Sequence, residues 1–204
     1  MGRLLAAGLD VPPGFVVLSR AREAGRATLA RAIEPYTNAH LGRLWAVRSS
    51  AADEDSEALS FAGQYVTFLN VEAEHLLERI QDCWQSVNSQ AACAYRQGHI
   101  APRRLPALAV IAQAMVQAEV SGVAFSADPL SGALDTLVIE MTRGLGAQLV
   151  GGNIAPLRIK LDRATGRFHE GDPIDTLPLT PEAIKHLSDL ILKVESTLGG
   201  PQDI

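Results

Sequence analysis

Short β-prone runs separated by turn signals fill the region between residues 107 and 161, and they constrain the fold more than any other feature. Asp128-Pro129 and Ser131-Gly132 are dipeptides that favour tight turns between such runs. The four runs are Ala107 to Met115, Gly122 to Ser126, Thr136 to Glu140 and Leu157 to Leu161. Strands that follow one another in this way, with helices on either side, predict an α+β fold.

The last helix has the clearest sequence boundaries in the chain. Thr180 is a favoured N-cap residue, Pro181 suits the first helical position, and Gly199 follows the last turn. Between them, apolar residues recur at helical spacing. We therefore predict a helix from Pro181 to Leu198 that buries one face.

The first half of the chain predicts further helices and strands. Residues 20 to 42 indicate one or two helices broken near Pro35, and a longer helix is predicted from Val71 to Tyr95 with Asn70 as its cap. A glycine-closed helix end is expected at Leu4 to Gly8. Short strands are expected at Phe15 to Leu18 and Leu44 to Val47.

The composition is that of a globular protein of one domain or two closely packed lobes. The chain has 204 residues, of which 47% are hydrophobic and 20% charged. Its formal net charge is -5 and no long basic run occurs, so we expect no nucleic-acid partner. With neither a signal peptide nor a membrane span in the sequence, we expect a cytoplasmic protein whose Cys83 and Cys93 are plain buried thiols.

An arginine at the end of a predicted buried strand is the strongest candidate for anion binding. Arg48 follows Leu44 to Val47, and its planar set of donors suits phosphate oxygens. Ser49 and Ser50 add hydroxyl groups beside it. The acidic loop at Asp53 to Asp55 offers an alternative, structural partner for the same guanidinium, and the residues alone leave both interpretations open.

Three further segments are weaker candidates. Gln113, Met115 and Val116 lie at the end of an apolar strand whose backbone could pair with an adenine ring. An ordinary core strand would have the same pattern. Glu140, at a predicted strand end, could reach a ligand or face solvent. The glycines near 144–152 lack the lysine of a phosphate-binding P-loop, and the five scattered histidines predict no metal site.

Several segments, taken in order, resemble the ATP-binding domain of the phosphoenolpyruvate synthase and pyruvate phosphate dikinase family, which includes rifampicin phosphotransferases. They span nearly the whole chain and are together more specific than any single motif. The segments are GLDVPPGFVV (8–17), AVRSSAADEDSEALSFAGQYVTFLNV (46–71), CWQSVNSQAACAYR (83–96), AVIAQAMVQAEVSGVAFSADPLSG (109–132), GLG (144–146) and GGPQDI (199–204).

The resemblance implies an ATP-grasp-like fold in which residues 1–204 form an ATP/pyruvate-binding domain with Mg-ATP between two lobes. Such lobes have mixed or antiparallel sheets with flanking helices. Arg48 matches the family arginine that contacts phosphates, and Gly63 to Thr67, including Gln64, match the loop that covers them. Gln113, Met115 and Val116 match the segment near adenine. Family enzymes pass a phosphoryl group to a histidine on a swivelling domain and then to an acceptor on another.

The sequence also departs from the family pattern. It shows neither the family's Gly-Gly-Lys segment nor its Glu-Trp and Gln-x-Arg-Pro segments, and Ala147 and Leu157 replace a common glutamate and a common aspartate. We therefore expect a domain incomplete at both ends, unable to catalyse alone. The leading interpretation is a phosphoenolpyruvate synthase-like dikinase. The alternatives are a rifampicin phosphotransferase-like kinase domain and a non-catalytic nucleotide-binding module.

Overall fold

The computed structural model describes residues 2–51, 55–56, 59–60, 66–86, 108–152, 154–173 and 177–204. The chain divides into two compact units. We call Pro12–Val116 the N-side unit. The C-side unit combines Met1–Val11 with Gln117–Ile204. Each unit contains a four-stranded sheet and helices, so the predicted α+β class is confirmed.

The N-side unit is built on an antiparallel sheet with strand order β1-β6-β2-β5. Its four strands are β1 (Gly14–Val17), β2 (Trp45–Ala51), β5 (Thr67–Val71) and β6 (Leu108–Ala114). Two further short strands, β3 (Asp55–Ser56) and β4 (Leu59–Ser60), pair with each other in a separate two-stranded sheet. Every pairing among these strands is antiparallel.

Two helices cover one face of this sheet. They are α2 (Arg26–Ala39), preceded by a 3-10 turn at Ser19–Glu23, and α3 (Leu76–Ser86), preceded by a 3-10 turn at Ala73–His75. Trp45 and Val47 of β2 are fully buried in one cluster with Leu76 and Ile80 of α3. The indole N–H of Trp84 also donates to the Leu108 carbonyl at 3.2 Å, which ties α3 to β6.

Three of the predicted boundaries in this unit are wrong. Helix α2 continues through Pro35, because the carbonyl that loses its hydrogen bond lies on an exposed turn where water can satisfy it. Asn70 does not cap a helix but lies in β5 with φ of 56°, a conformation that asparagine tolerates. Strand β2 continues past Val47 to Ala51. Residues 87–95 of the predicted long helix lie outside the described residues.

The C-side unit has a second antiparallel sheet, with strand order β10-β9-β8-β7. The strands are β7 (Val120–Phe125), β8 (Thr136–Arg143), β9 (Leu157–Asp162) and β10 (Phe168–Gly171). Sequence reasoning missed β10, whose four residues are all exposed and leave no apolar pattern. The C-terminal residues pair with the outer edge of β7, where Ala124 and Ile204 exchange two backbone hydrogen bonds of 2.9 Å.

Helix α5 (Pro181–Leu198) packs on one face of this sheet. Its buried Ile184 and Ile191 share a cluster with Leu137, Ile159 and Leu161 of the strands. Helix α1 (Gly2–Ala6) contacts α5, and α4 (Ala147–Val150) is a single turn. Among the described helices, none has both the length and the apolar character needed to cross a bilayer.

The predicted boundaries of α5 are confirmed in atomic detail. The Thr180 side chain accepts a hydrogen bond from the Ala183 N–H at 3.2 Å, which satisfies one of the free donors of the first turn. Gly199 ends the helix with φ of 87°, and its N–H donates to the Glu195 carbonyl. Glycine adopts this left-handed conformation at little cost.

The turn between β9 and β10 packs tightly on α5. Gly166 has φ of 66°, and a Cβ at this position would lie 2.9 Å from the Oγ of Ser188, a buried residue of the helix. The turn therefore needs glycine for two reasons, its backbone conformation and its close approach to the helix.

We predict that Gly166→Ala lowers the free energy of unfolding by about 1–3 kcal/mol, because strain and the clash with Ser188 add together. Denaturant unfolding measures the loss. The matched control is Gly132→Ala, since Gly132 has φ of 74° but no atom within 4 Å of the place that a Cβ would take. The prediction fails if the two substitutions cost the same.

Candidate functional site

The N-side sheet has one covered face and one open face. Along β6, buried residues alternate with partly exposed ones from Leu108 to Ala114. The buried set faces α2 and α3, as the shared core cluster shows. Side chains alternate between the two faces of a strand, so Ile111 and Gln113 belong to the opposite face. Among the described residues, no helix packs on that side.

Arg48 lies near the middle of this open face. It is directly opposite Ile111 of β6 on one side and Thr67 of β5 on the other, and Val16 of β1 is opposite Ile111. Opposed residues of antiparallel strands point their side chains to the same face. Register therefore places Val16, Ile111, Arg48 and Thr67 in one row across the sheet.

The predicted position of Arg48 at the end of its strand is wrong. The arginine was expected at the end of a short buried strand, but β2 extends three residues beyond it and its side chain is exposed. Within the described residues, its guanidinium forms no ion pair or hydrogen bond. Asp55 lies in the short strand β3, while Asp53 and Glu54 of the alternative acidic partner lie outside the described residues.

The two serines after Arg48 have different surroundings. Ser49 is on the other face of the strand, opposite the buried Val110, and its hydroxyl donates to the Val66 carbonyl at 3.4 Å. Ser50 shares the open face with Arg48 and is opposite Ala109. Of this pair, register therefore brings only Ser50 to the same face as the arginine.

The segment predicted near adenine lies at the end of β6. Gln113 is opposite Gly14 and Ala46, and its side-chain amide donates to the Pro12 carbonyl at 3.0 Å. The Met115 N–H donates to the Leu44 carbonyl at 2.8 Å. Both of these donors are thus already bound to backbone carbonyls.

The remaining predicted contact residues lie outside the row that contains Arg48 or outside the described residues. Val116 is exposed and is the last residue of the N-side unit. Gly63 and Gln64 lie outside the described residues. Glu140 belongs to the C-side unit and lies within β8, not at its end.

Glu140 forms an ion pair on the face of the C-side sheet that lies away from α5. It is directly opposite Arg158 of β9, whose Nε donates to Glu140 Oε1 at 2.7 Å and whose Nη2 donates to the same oxygen. The backbone N–H of Arg158 donates to Asp172 Oδ2 at 2.9 Å. The carboxylate that the sequence suggested as a ligand contact is thus held by a neighbouring arginine.

A second charged group lies two residues further along β9. Lys160 Nζ is 3.3 Å from Asp128 Oδ2 and 3.5 Å from Glu170 Oε2. Asp128 is buried, and its other oxygen accepts from the Leu130 N–H at 2.9 Å. The Leu130 N–H is the main cause that lowers the pKa of Asp128 to about 2, with Lys160 and Ser131 acting in the same direction.

Sequence reasoning missed Arg158 and Lys160, although a signal for both was present. In the run Leu157-Arg158-Ile159-Lys160-Leu161, apolar and basic residues alternate with the period of a strand. That pattern predicts one apolar face and one cationic face. It does not reveal the acidic partners, which come from other parts of the chain.

One group of potential metal ligands comes together in the described part of the chain. Ligand atoms of Glu72, Glu74 and His75 lie within 4.8 Å of one another, and all three residues are exposed. The histidine also lies 3.7 Å from Glu78. Exposed acidic groups are common without an ion, so this group remains a surface cluster.

The pyruvate phosphate dikinase AMP/ATP-binding domain family matches residues 23–173, well over half of the chain. The chain belongs to this family. This match confirms the resemblance seen in the ordered sequence segments. The matched range includes Arg48 and the Glu140–Arg158 pair.

Curated relatives of this dikinase-family chain include transferases with different names. It is 33% identical over 188 residues to the prodigiosin synthesizing transferase PigC of Serratia marcescens, covering 80% of this chain and 21% of that protein. It is 32% identical over 213 residues to phosphoenolpyruvate synthase of Aeropyrum pernix, covering 80% and 26%. A rifampicin phosphotransferase of a Streptomyces species is 33% identical over 183 residues, covering 78% and 21%.

The chain therefore spans about a fifth to a quarter of the length of these relatives. Two of these three relatives are named as transferases, and phosphoryl transfer is named in the rifampicin enzyme. Membership in the dikinase family thus supports a phosphotransferase class with an ATP-binding domain.

We predict that Asp128 makes the stability of the dikinase-family chain fall in acid. Because its folded-state pKa lies near 2, below the ordinary value of 3.8, it stabilises the fold above about pH 4. This contribution is lost as the pH falls towards 2. Comparing unfolding of the parent and Asp128→Asn across that range should show a difference that shrinks in acid. A pH-independent difference would contradict the assignment.

Proposed function

We propose that this chain binds ATP as its magnesium complex and serves as the phosphoryl-donor domain of a phosphoenolpyruvate synthase-like dikinase. Residues 1–204 would form part of a pyruvate phosphate dikinase-type ATP-binding domain in the cytoplasm. The phosphoryl group would pass to a histidine on a swivelling domain, and from there to an acceptor on another domain. Membership in the dikinase family supports the nucleotide, and the observation that carries the proposal is the exposed guanidinium of Arg48 on an open sheet face, unpaired within the described residues.

The surroundings of Arg48 fit a nucleotide. An exposed arginine without an acidic partner among the described residues can give several of its N–H groups to phosphate oxygens. Thr67 lies beside it and can donate its hydroxyl. Val16 and Ile111 continue the row as an apolar surface against which a ring or ribose can pack.

The remaining predicted contacts fit this proposal to different degrees. Ser50 shares the Arg48 face and can donate to the same anion. The Ser49 hydroxyl is bound to Val66 and would instead support the strand. Gln113 and Met115 would hold the end of β6 in place for adenine, since their donors already bind Pro12 and Leu44. Gly63 and Gln64 remain predicted phosphate contacts.

In the proposed reaction, the bond between a phosphorus and a bridging oxygen of ATP breaks, and a bond from that phosphorus to a histidine nitrogen forms. The bridging oxygen leaves with the rest of the cleaved ATP, and the proton displaced from the histidine nitrogen passes to solvent. Bound Mg-ATP would supply the transferable phosphoryl group and a divalent cation that offsets its negative charge. This chain's residues would bind and orient the phosphates, with Arg48 meeting charge on their oxygens. Magnesium is the divalent cation that we propose for this complex.

The similarity to known proteins supports a phosphotransferase but does not indicate which molecule accepts the phosphoryl group. A phosphoenolpyruvate synthase and a rifampicin phosphotransferase match this chain with nearly equal identity. A rifampicin phosphotransferase-like kinase is therefore the second candidate. Acceptor specificity in either case would reside on a partner domain, joined in the same chain or supplied by another.

We predict that Arg48→Ala weakens ATP binding by about 1.5–3 kcal/mol, the usual value for hydrogen bonds to a charged group. Because Arg48 has no partner among the described residues, the free energy of unfolding should change little. Calorimetry with Mg-ATP and thermal unfolding measure the two quantities on the same variant.

The matched control is Arg31→Ala. Arg31 is also an exposed arginine, so its removal changes the net charge by the same amount. It lies on α2, which packs on the covered face of the same sheet, away from Arg48. It should leave ATP affinity near that of the parent. If Arg48→Ala lowers the melting temperature and spares ATP binding, the arginine is a structural ion-pair partner and the proposal loses its main support.

We also predict that the chain does not bind pyruvate, since the acceptor would be recognised on another domain. Calorimetric titration with sodium pyruvate should give no heat of binding beyond dilution in the presence or absence of Mg-ATP. Micromolar affinity for pyruvate would contradict this division of roles.

A further inference from the structure

A groove lies at one end of the C-side sheet, where two connections between strands meet helix α5. The first connection, residues 126–135, joins β7 to β8, and the second, residues 163–167, joins β9 to β10. The Arg163 N–H ties them together by donating to the Asp135 carbonyl at 2.9 Å. We call this site the loop-end groove. It has a volume of about 740 Å³ and is lined by Leu134, Asp135, Asp162, Arg163, Ala164 and Leu192.

Hydrogen bonds within each connection hold the walls of the loop-end groove in one shape. In the first, the Asp128 carboxylate accepts from the Leu130 N–H at 2.9 Å, and the Asp128 N–H donates to the Ala133 carbonyl at 2.9 Å. In the second, Asp162 Oδ1 accepts from the Thr165 N–H at 2.8 Å and from the Thr165 hydroxyl at 2.6 Å. A partner that binds to walls already ordered loses less conformational entropy.

The loop-end groove exposes apolar surface on this ordered part of the chain. Leu134 is 62% exposed. Leu192 of α5 forms another part of the lining and packs partly against the core of the C-side unit. A single exposed leucine is common on protein surfaces, but Leu134 borders a concave site in which a partner can surround it.

The charge of the loop-end groove is negative. Asp135 and Asp162 are both exposed, and the Thr165 hydroxyl is the largest cause that lowers the pKa of Asp162. Arg163, the one basic residue of the lining, is already engaged, because its Nη1 donates to Glu195 Oε2 at 3.1 Å. The arginine and its glutamate are neutral as a pair, which leaves the groove with the charge of two carboxylates.

These features fit a polypeptide partner that is both basic and apolar. A bulky apolar side chain would cover Leu134 and Leu192, while a lysine or arginine near it would meet Asp135 or Asp162. Nucleic acids and anionic membranes carry phosphates, which the two carboxylates would repel. The formal net charge of -5 attracts the same basic class of partner at longer range.

We propose that the loop-end groove is a docking site for a basic, apolar segment of another polypeptide, which contacts Leu134 and forms ion pairs with Asp135 and Asp162. The segment would carry a large aliphatic or aromatic residue with lysine or arginine close to it in sequence. This inference goes beyond the nucleotide site and does not depend on it. All six lining residues belong to the C-side unit, and none of them is a proposed ATP contact.

The test measures binding of the whole chain to a short fluorescent peptide of repeated Lys-Leu-Leu-Lys units by fluorescence anisotropy. We expect this peptide to bind at least about tenfold more tightly than two matched peptides, one with serine for leucine and one with glutamate for lysine. Equal affinity for all three peptides would overturn the proposal. Binding to phosphatidylserine vesicles or single-stranded RNA, without preference for the Lys-Leu peptide, would overturn it as well.

Two variants of the chain test the apolar and the charged contact separately. Leu134→Ser should weaken binding of the Lys-Leu peptide about tenfold, because it removes apolar surface from the contact. Asp135→Asn should weaken it about twofold to fivefold at low salt, and this difference should vanish in about 1 M sodium chloride, which screens exposed ion pairs. Both side chains are exposed, so thermal unfolding of the two variants should stay close to that of the parent.

The matched controls remove the same kinds of side chain at other places on the surface. Leu41→Ser removes a leucine that is 79% exposed in the N-side unit, and Asp10→Asn removes an exposed carboxylate. Neither should change the affinity for the Lys-Leu peptide. The proposal is overturned if these controls weaken binding as much as Leu134→Ser and Asp135→Asn do, or if those two variants bind the peptide as the parent does.

Discussion

Coverage of each sheet by helices on only one face is the constraint on which the rest of the structure depends. In an antiparallel sheet, alternate side chains point to opposite faces, so a helix that covers one face leaves the other to polar or functional residues. Trp45 and Val47 fix β2 in the N-side core, and this fixes Arg48 on the open side. Leu137 and Ile139 do the same for Glu140 on β8. Because a shift of one residue would exchange the faces, core packing also determines which charges are exposed.

Each unit has an arginine on the sheet face away from its helices, and the two arginines differ in their partners. Arg48 lies among Ile111, Thr67 and Val16 and has no acidic partner in the described part of the chain. Arg158 is held by Glu140 through its Nε and Nη2. An unpaired guanidinium keeps its hydration and can turn towards a ligand, at an entropic cost on binding. A paired guanidinium is already oriented, so less freedom is lost when a further anion binds.

Local signals in the sequence predicted much of the fold. The Thr180 cap, Pro181 and Gly199 defined α5, because capping depends on neighbouring residues alone. The β-prone runs gave β6 to β9 with small errors at their ends. The sequence offered Arg48 as a candidate, but its predicted place at the strand end was wrong, since the length of β2 depends on pairing with β6 and β5. Arg158 and Glu140 are 18 residues apart in sequence, and the pairing register of β8 and β9 brings them together. The pattern of residues within each strand does not predict that register.

The grouping of Met1–Val11 with the C-side unit has a consequence for synthesis of the chain. Helix α1 contacts α5, Arg3 donates to the Thr197 carbonyl, and Lys193 donates to the carbonyl of Gly8 at 3.4 Å. The N-side unit is continuous in sequence, so all of its strands are synthesised before β7. Helix α1 is synthesised roughly a hundred and seventy residues before its partner α5, and translation proceeds at about 5–20 residues per second. Until α5 has been synthesised, Leu5 of α1 is accessible to chaperones. The C-side unit can therefore complete its fold only after the strands of the N-side unit have been made.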